Sequence, residues 1–196
     1  MTPQEQAIQN YQLKFDELNA FRVEIFTEEF FEQPKEEIKK KFEECLFWFF
    51  VDGFSSGILM MGEDAPLPNG YEFLDIRYPD GETVLEKLDK YTESKSPDKL
   101  ATLLESESHR MYNTGSVLGM GGEIKNGTIK FTPNGKKKTW HTMMDEKVRD
   151  QHWMLEGETI PIDEDFVTAD GDYGPAPGMF QSAENNANCR CILTYS

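Results

Sequence analysis

Cys189 and Cys191 stand one residue apart near the last residue of the chain, with Arg190 between them. Upstream, Asp145, Arg149 and His152 are spaced i, i+4 and i+7, and His141 lies just before them. Thiolate, imidazole and carboxylate are the donor types that hold a borderline-soft divalent cation. On a strand, Cys189 and Cys191 point to one side and Arg190 to the other. On a helix, Asp145, Arg149 and His152 share a face. The first reading is a zinc site of His152, Cys189 and Cys191, with Asp145 or His141 as fourth ligand. A second makes the cysteines redox partners, although a Cys-x-Cys disulfide closes a tight, strained ring. A third makes them small buried residues beneath a helix. A nucleophilic thiol activated by His152 rests on a weaker signal, a Cys and a His far apart in sequence. Asp145 and Arg149 also have plainer roles, as a helix cap and as an i,i+4 ion pair.

The elements that must position these residues are of two textures. Residues 4 to about 33 read as a helix, with Phe15, Leu18, Phe21, Ile25 and Phe26 at helical spacing. Pro34 opens a second helix whose stripe is Ile38, Phe42, Cys45, Leu46 and Phe49, and Cys45 on that stripe is an inert core thiol. Gly53 and Gly57 loosen the residues beyond this stripe. Residues 62–82 read as a connecting loop with one short strand at Tyr71–Arg77. Helix resumes from Thr83 to about Tyr112, broken at SPDKL, where Ser96 is the N-cap and Pro97 the first helical residue. GSVLGMGGE reads as a flexible turn, since it lacks the lysine of a phosphate loop and follows a helix.

After this the pattern changes. Asn134-Gly135 predicts a hairpin between Thr128–Thr132 and Lys137–Met143, with Lys136-Lys137-Lys138 as a solvated edge. A short helix follows from about Asp145 to Leu155, ended by Gly157, then a loop-rich stretch over 158–188 and a closing strand in CRCILTY. The fold class is therefore α+β: a helical N-terminal half, then a small antiparallel-sheet module with a short helix. The division falls into residues 1–100, a helical region for docking on a partner, and the module 101–196.

The composition narrows the functions. The net charge is −16, concentrated before residue 126; after it, 11 acids face 7 Lys/Arg. Such a surface is repelled by phosphate backbones, so DNA contact is weak and confined to a patch around Lys130 and Lys136–Lys138. Three cysteines are too few for a disulfide scaffold and point to a reducing compartment. The start of the chain has no apolar signal core, and the longest apolar run, Leu46–Val51, is too short to span a bilayer.

Taken together, Trp140, Asp145, Arg149, His152, Gly157, Phe166, the loop DGDYGPAPG and Asn188-Cys189-Arg190-Cys191 resemble the phage Mu F-like head morphogenesis family. An upstream R-x-E-x-x-R-x-x-N pattern of that family is matched by Glu107, Arg110 and Asn113, with Glu105 in place of the leading arginine. The resemblance covers about residues 100–196. It implies a minor structural protein of a tailed-phage head, near the portal, that assists capsid assembly, DNA packaging or delivery. The implied partners are the portal or major head protein. The implied location is the virion head, with the host cytoplasm during late assembly, and no membrane. Some relatives carry toxin domains after this module; the chain stops five residues past Cys191, so no such extension is expected. The alternative is a small nuclease- or transferase-like enzyme using His152 and Arg149. A closed site around His152 favours the structural reading, without turnover, and an open cleft the enzyme.

Overall fold

The computed structural model describes residues 3–61, 66–75, 77, 80–125, 128–131 and 135–196. Four long helices form the first half: α1 (Pro3–Ile25), α2 (Lys35–Met61), α3 (Val84–Glu93) and α4 (Pro97–Gly119). The helix expected over 4–33 ends at Ile25, and a 3₁₀ turn over Glu28–Glu32 follows. That turn drives Phe30 into the core, edge-on to Phe31 and near Phe21. Of the aromatic stripe Phe15, Phe21, Phe26, Phe30 and Phe31, Phe26 alone is exposed; the others pack inward. Thr83 opens α3 with a reciprocal capping box to Glu86. Ser96 and Pro97 open α4 as expected, although the Ser96 hydroxyl turns to Ser94 instead of capping. In place of the strand expected at Tyr71–Arg77, residues Gly70–Asp75 form a 3₁₀ turn, started by the Asn69 side chain accepting from the Tyr71 amide; Ile76 lies outside the described residues.

The glycines of α2 and α4 are not loosening devices. Gly53 and Gly57 on α2 face Gly115 and Gly119 on α4. A methyl at Gly53 would overlap the Tyr112 carbonyl, and one at Gly57 the Ser116 carbonyl. From the other side, Gly115 lies against the Phe50 carbonyl and Gly119 against that of Phe54. The stretch expected as a flexible turn is therefore helix as far as Gly119, because contact with α2 outweighs the modest helix cost of glycine. Tyr112 donates to Ser56 across the same seam at 3.1 Å.

The second half is built on a three-stranded antiparallel sheet in the order β4 (Thr159–Pro161), β3 (Lys137–His141), β7 (Ile192–Tyr195). Central β3 pairs Trp140 with Leu193 and Thr139 with Thr194. Among the described residues the expected hairpin is not formed. β2 (Thr128–Lys130) pairs with β1 (Glu123–Lys125), and β3 turns to β4 and β7. Thr132 to Asn134 lie outside the described residues. The reason is burial: the alternation on β3 puts Lys138 and Trp140 inward, which requires partners on both edges. Lys138 is thus no solvated edge residue. Its ammonium donates to the Pro175 carbonyl at 2.7 Å and lies over Phe131 and Phe166, and burial pushes it down to about 8 against the pull of Asp165, Asp163 and Glu164. The strand pair β5 (Phe166–Val167) and β6 (Tyr173–Gly174) and the short helices α5 (Asp150–Trp153) and α6 (Ala183–Asn186) complete the module.

Two apolar clusters result. One joins α1–α4 and takes in Ile192; the other gathers Val117, Met120, Trp140, Leu155, Ile162, Phe166, Phe180 and both C-terminal cysteines. Position 100, where the docking region was expected to end, lies inside α4, which feeds both clusters. Cys45 packs against the first cluster and burial pushes its thiol up to about 11, the behaviour of an inert thiol.

Gly115→Ala is expected to destabilise the protein by roughly 3 kcal/mol, the upper end of overpacking costs, because the obstacle is backbone. Exposed Ser55→Ala on α2 is expected to stay within about 0.5 kcal/mol. Urea melts of the two variants check this. A second expectation concerns His109, buried between the Tyr11 hydroxyl and the Phe15 ring. Burial, then the Arg190 and Arg22 charges, push its imidazole down to about 3. Below about pH 6.5 the unfolded chain binds a proton there that the folded chain does not, so this stability is present above that pH. It is lost on acidification towards pH 3, at up to about 1.4 kcal/mol per pH unit. The stability gap between wild type and His109→Gln should narrow over that window in pH-dependent chemical denaturation.

Candidate functional site

The C-terminal segment 187–191 is neither helix nor strand; β7 begins at Ile192. This differs from the expected strand through Cys189. Asn188 has a φ of 54°, in the left-handed region that Asn tolerates, and this turns the chain sharply before the cysteines. Side chains from elsewhere then hold the segment. Arg149 donates to the Ala187 carbonyl. The Asn188 amide donates to Ser106 Oγ at 3.1 Å, and Ser106 donates back to the Asn188 side chain at 3.1 Å. Tyr11 lies 3.3 Å from the Arg190 carbonyl, and Asn113 Nδ2 donates to the Cys191 carbonyl at 3.0 Å.

This pinning brings both sulfurs to His152. Cys189 Sγ and Cys191 Sγ each lie 3.6 Å from His152 Nδ1, and ligand atoms of the three residues lie within 4.8 Å of one another. All three residues are buried. The imidazole is edge-on to Trp140 at 5.4 Å and stacked on Phe180 at 5.7 Å. Met143, Lys147, Val148, Arg149, Asn188 and Arg190 join the three in lining a small crevice. The two thiols are pushed in opposite directions. Hydrogen bonding from Cys191 draws the Cys189 thiol well below the ordinary range against burial, with His152 adding to it. The hydrogen bond to Cys189, together with burial, drives Cys191 far up.

The other predicted residues are placed differently. α5 spans only Asp150–Trp153 and Arg149 is its N-cap, so Asp145, Arg149 and His152 do not share a long helical face. Asp145 sits in a turn, accepts from the Lys147 amide, and forms a two-pronged ion pair with Arg190 at 2.5 and 2.7 Å instead of pairing with Arg149. Hydrogen bonding to Arg190 holds its carboxyl below the usual range. His141 bonds Thr194 at 2.7 Å and approaches Glu156 at 3.6 Å. Neither Asp145 nor His141 belongs to the three-residue group. Upstream, Glu107 is buried and paired with Arg110 at 2.5 Å, and Arg110 reaches the Phe73 carbonyl. Glu105, the departure from the family pattern, pairs with Arg22 of α1 at 3.1 Å.

One organising residue escaped the sequence reading. Asp172 accepts from the amides of Tyr173, Gln181 and Ser182, from the Ser182 hydroxyl at 2.6 Å and from Asn185 at 2.9 Å. It orders the loop that was read only as loop-rich and leads it back to the cysteines. Its signal was the DGDYG turn followed by Ser and Asn, side chains suited to bonding a nearby backbone.

The chain belongs to the Phage Mu protein F like family, whose model matches residues 80–194. The minor head protein GP7 of Bacillus phage SPP1 is 39% identical over 90 residues, 46% of this chain and 27% of that protein. An NAD(+)–arginine ADP-ribosyltransferase, EFV, of Enterococcus faecalis is 38% identical over 55 residues, 28% of this chain and 11% of that protein. The chain thus spans about a quarter of the length of the first relative and about a tenth of the second. No solved structure matches.

Asp172→Ala removes an acceptor from five donors, of which Gln181 and Asn185 keep a second, longer bond. A loss of about 2–3 kcal/mol is expected, the cost of several broken bonds to a charged group. Hydrogen exchange should show the release concentrated in 166–188, with α1–α4 unchanged.

Proposed function

We propose that this chain is a minor structural protein of a tailed-phage head that works by docking on other head proteins and carries out no reaction of its own. Family membership supports the head role. The observation that carries the second half of the reading is the closure of the site: His152 is 1% exposed and enclosed by two aromatic rings and two sulfurs. A general base or a substrate-binding group needs access that this arrangement does not offer. Arg149, the other residue of the enzyme alternative, is engaged with the Ala187 carbonyl. The match to EFV covers a tenth of that protein, which fits a module shared between chains of different activity.

The proposed partner is the portal or the major head protein, met inside the assembling head in the host cytoplasm. Residues 1–100 are the proposed docking region. Val23 in the last turn of α1 and Phe26 just past its end are 70% and 54% exposed and offer an apolar contact there. No helix among the described residues is long and apolar enough to cross a membrane. DNA contact has little support in a chain of net charge −16 with Lys138 buried.

The test is assembly of heads from the portal, scaffolding and major head proteins of the same phage, with the chain present. Wild type should co-sediment with the heads. Val23→Glu combined with Phe26→Glu should lower its incorporation by about 30-fold, on the order of 2 kcal/mol of lost contact, with an unchanged melting temperature. A wild-type chain left entirely in the supernatant would defeat the docking role. Purified chain that cleaves nucleic acid, with the activity lost in His152→Ala, would restore the enzyme alternative.

A further inference from the structure

We infer that His152, Cys189 and Cys191 form a zinc site, with His152 Nδ1 and the two sulfurs as protein ligands and the fourth position facing the crevice beside Arg149 and Asn188. The geometry carries it. A tetrahedral zinc with bonds of about 2.3 Å to sulfur and 2.0–2.1 Å to nitrogen sets each sulfur about 3.6 Å from the nitrogen. Both sulfurs here stand 3.6 Å from one nitrogen atom, His152 Nδ1. A neutral imidazole nitrogen has a single lone pair and accepts one thiol proton, so without a cation the second sulfur bonds only the first and has no bond of its own to the nitrogen it approaches equally closely. One cation between the three atoms accounts for both.

Charge and preorganisation agree with this. Two thiolates balance a divalent ion, so the buried cluster is neutral, as a site enclosed by Trp140 and Phe180 requires. Thiolate with imidazole selects zinc over magnesium or calcium, which take oxygen ligands. The sulfurs are held by bonds independent of any metal: Asn113 to the Cys191 carbonyl, Ser106 to Asn188, and Arg149 to Ala187. Such outer contacts fix a site before the ion arrives. Asp145 is committed to Arg190 and His141 to Thr194, so the fourth ligand is a water held in the small crevice.

The binding step is an exchange: hydrated zinc forms two Zn–S bonds and one Zn–N bond, breaks its bonds to all but one of its waters, and the released waters and the two thiol protons pass to solvent. Its test uses the full chain, purified from zinc-supplemented medium. Elemental analysis should give one zinc per chain, and a chelator should lower the melting temperature. Replacement by Co²⁺ should produce thiolate-to-cobalt charge-transfer absorption with the band pattern of tetrahedral coordination. Cys189→Ser and Cys191→Ser should each lower that absorption by about half, while Cys45→Ser leaves it unchanged. If these variants fail to fold, the wild-type cobalt spectrum and the zinc count still decide. A wild-type chain with no zinc, no cobalt charge transfer and no response to the chelator would overturn the assignment. So would a Cys189–Cys191 disulfide found by thiol counting in the protein as isolated.

Discussion

The backbone contact between α2 and α4 is the constraint on which the rest of this structure depends. Four glycines, two on each helix, remove the side chains that would hold the two axes apart. The helices then touch main chain to main chain, close enough for dispersion contacts and one cross-link from Tyr112 to Ser56. With α2 fixed on one side, α4 is buried along most of its length, including Glu107, Ser108, His109, Asn113, Thr114 and Ser116. Polar groups buried this way must find partners inside the protein. Several find them in segments far away in sequence, and this converts a helix–helix contact into the organising wall of both halves.

The C-terminal segment shows the consequence. Residues 187–191 lack the ladder of a strand, yet they are held at four carbonyls or amides by Arg149, Ser106, Tyr11 and Asn113, which come from α1, α4 and the start of α5. The Asp145–Arg190 pair adds a fifth tie. Positions of the two sulfurs are therefore set by the long helices as much as by the sheet. The same residues explain the family pattern in physical terms. Glu107 with Arg110 reaches the 3₁₀ turn at Phe73, and Asn113 reaches Cys191. Arg110 and Asn113 each tie α4 to another element. Glu105, where the pattern has arginine, pairs with Arg22 of α1.

Much of the local structure was legible in the chain. Apolar spacing located α2 and the start of α4, the proline and serine before α4 marked its first turn, and β-prone composition marked β3 and the strand that ends the chain. The α+β class, the acidic balance and the meeting of His152 with the two cysteines also followed from residue types and order. These are properties of periodicity, capping and donor chemistry, which act over a few residues or depend on residue identity alone.

Tertiary structure alone decided which elements meet. Gly115 and Gly119 read locally as helix breakers, but contact with α2 keeps them helical. Lys138 reads as a solvated cation, but the inward phase of β3 buries it under a carbonyl and two rings. Asp145 reads as the partner of Arg149, four residues on, but the turn at Asn188 delivers Arg190 to it instead. β2 and β3 read as a hairpin, but burial of Trp140 calls for β4 and β7 on either side of β3. In each case a local preference worth about 1 kcal/mol or less was outweighed by burial or ion pairing made possible only once distant segments had come together.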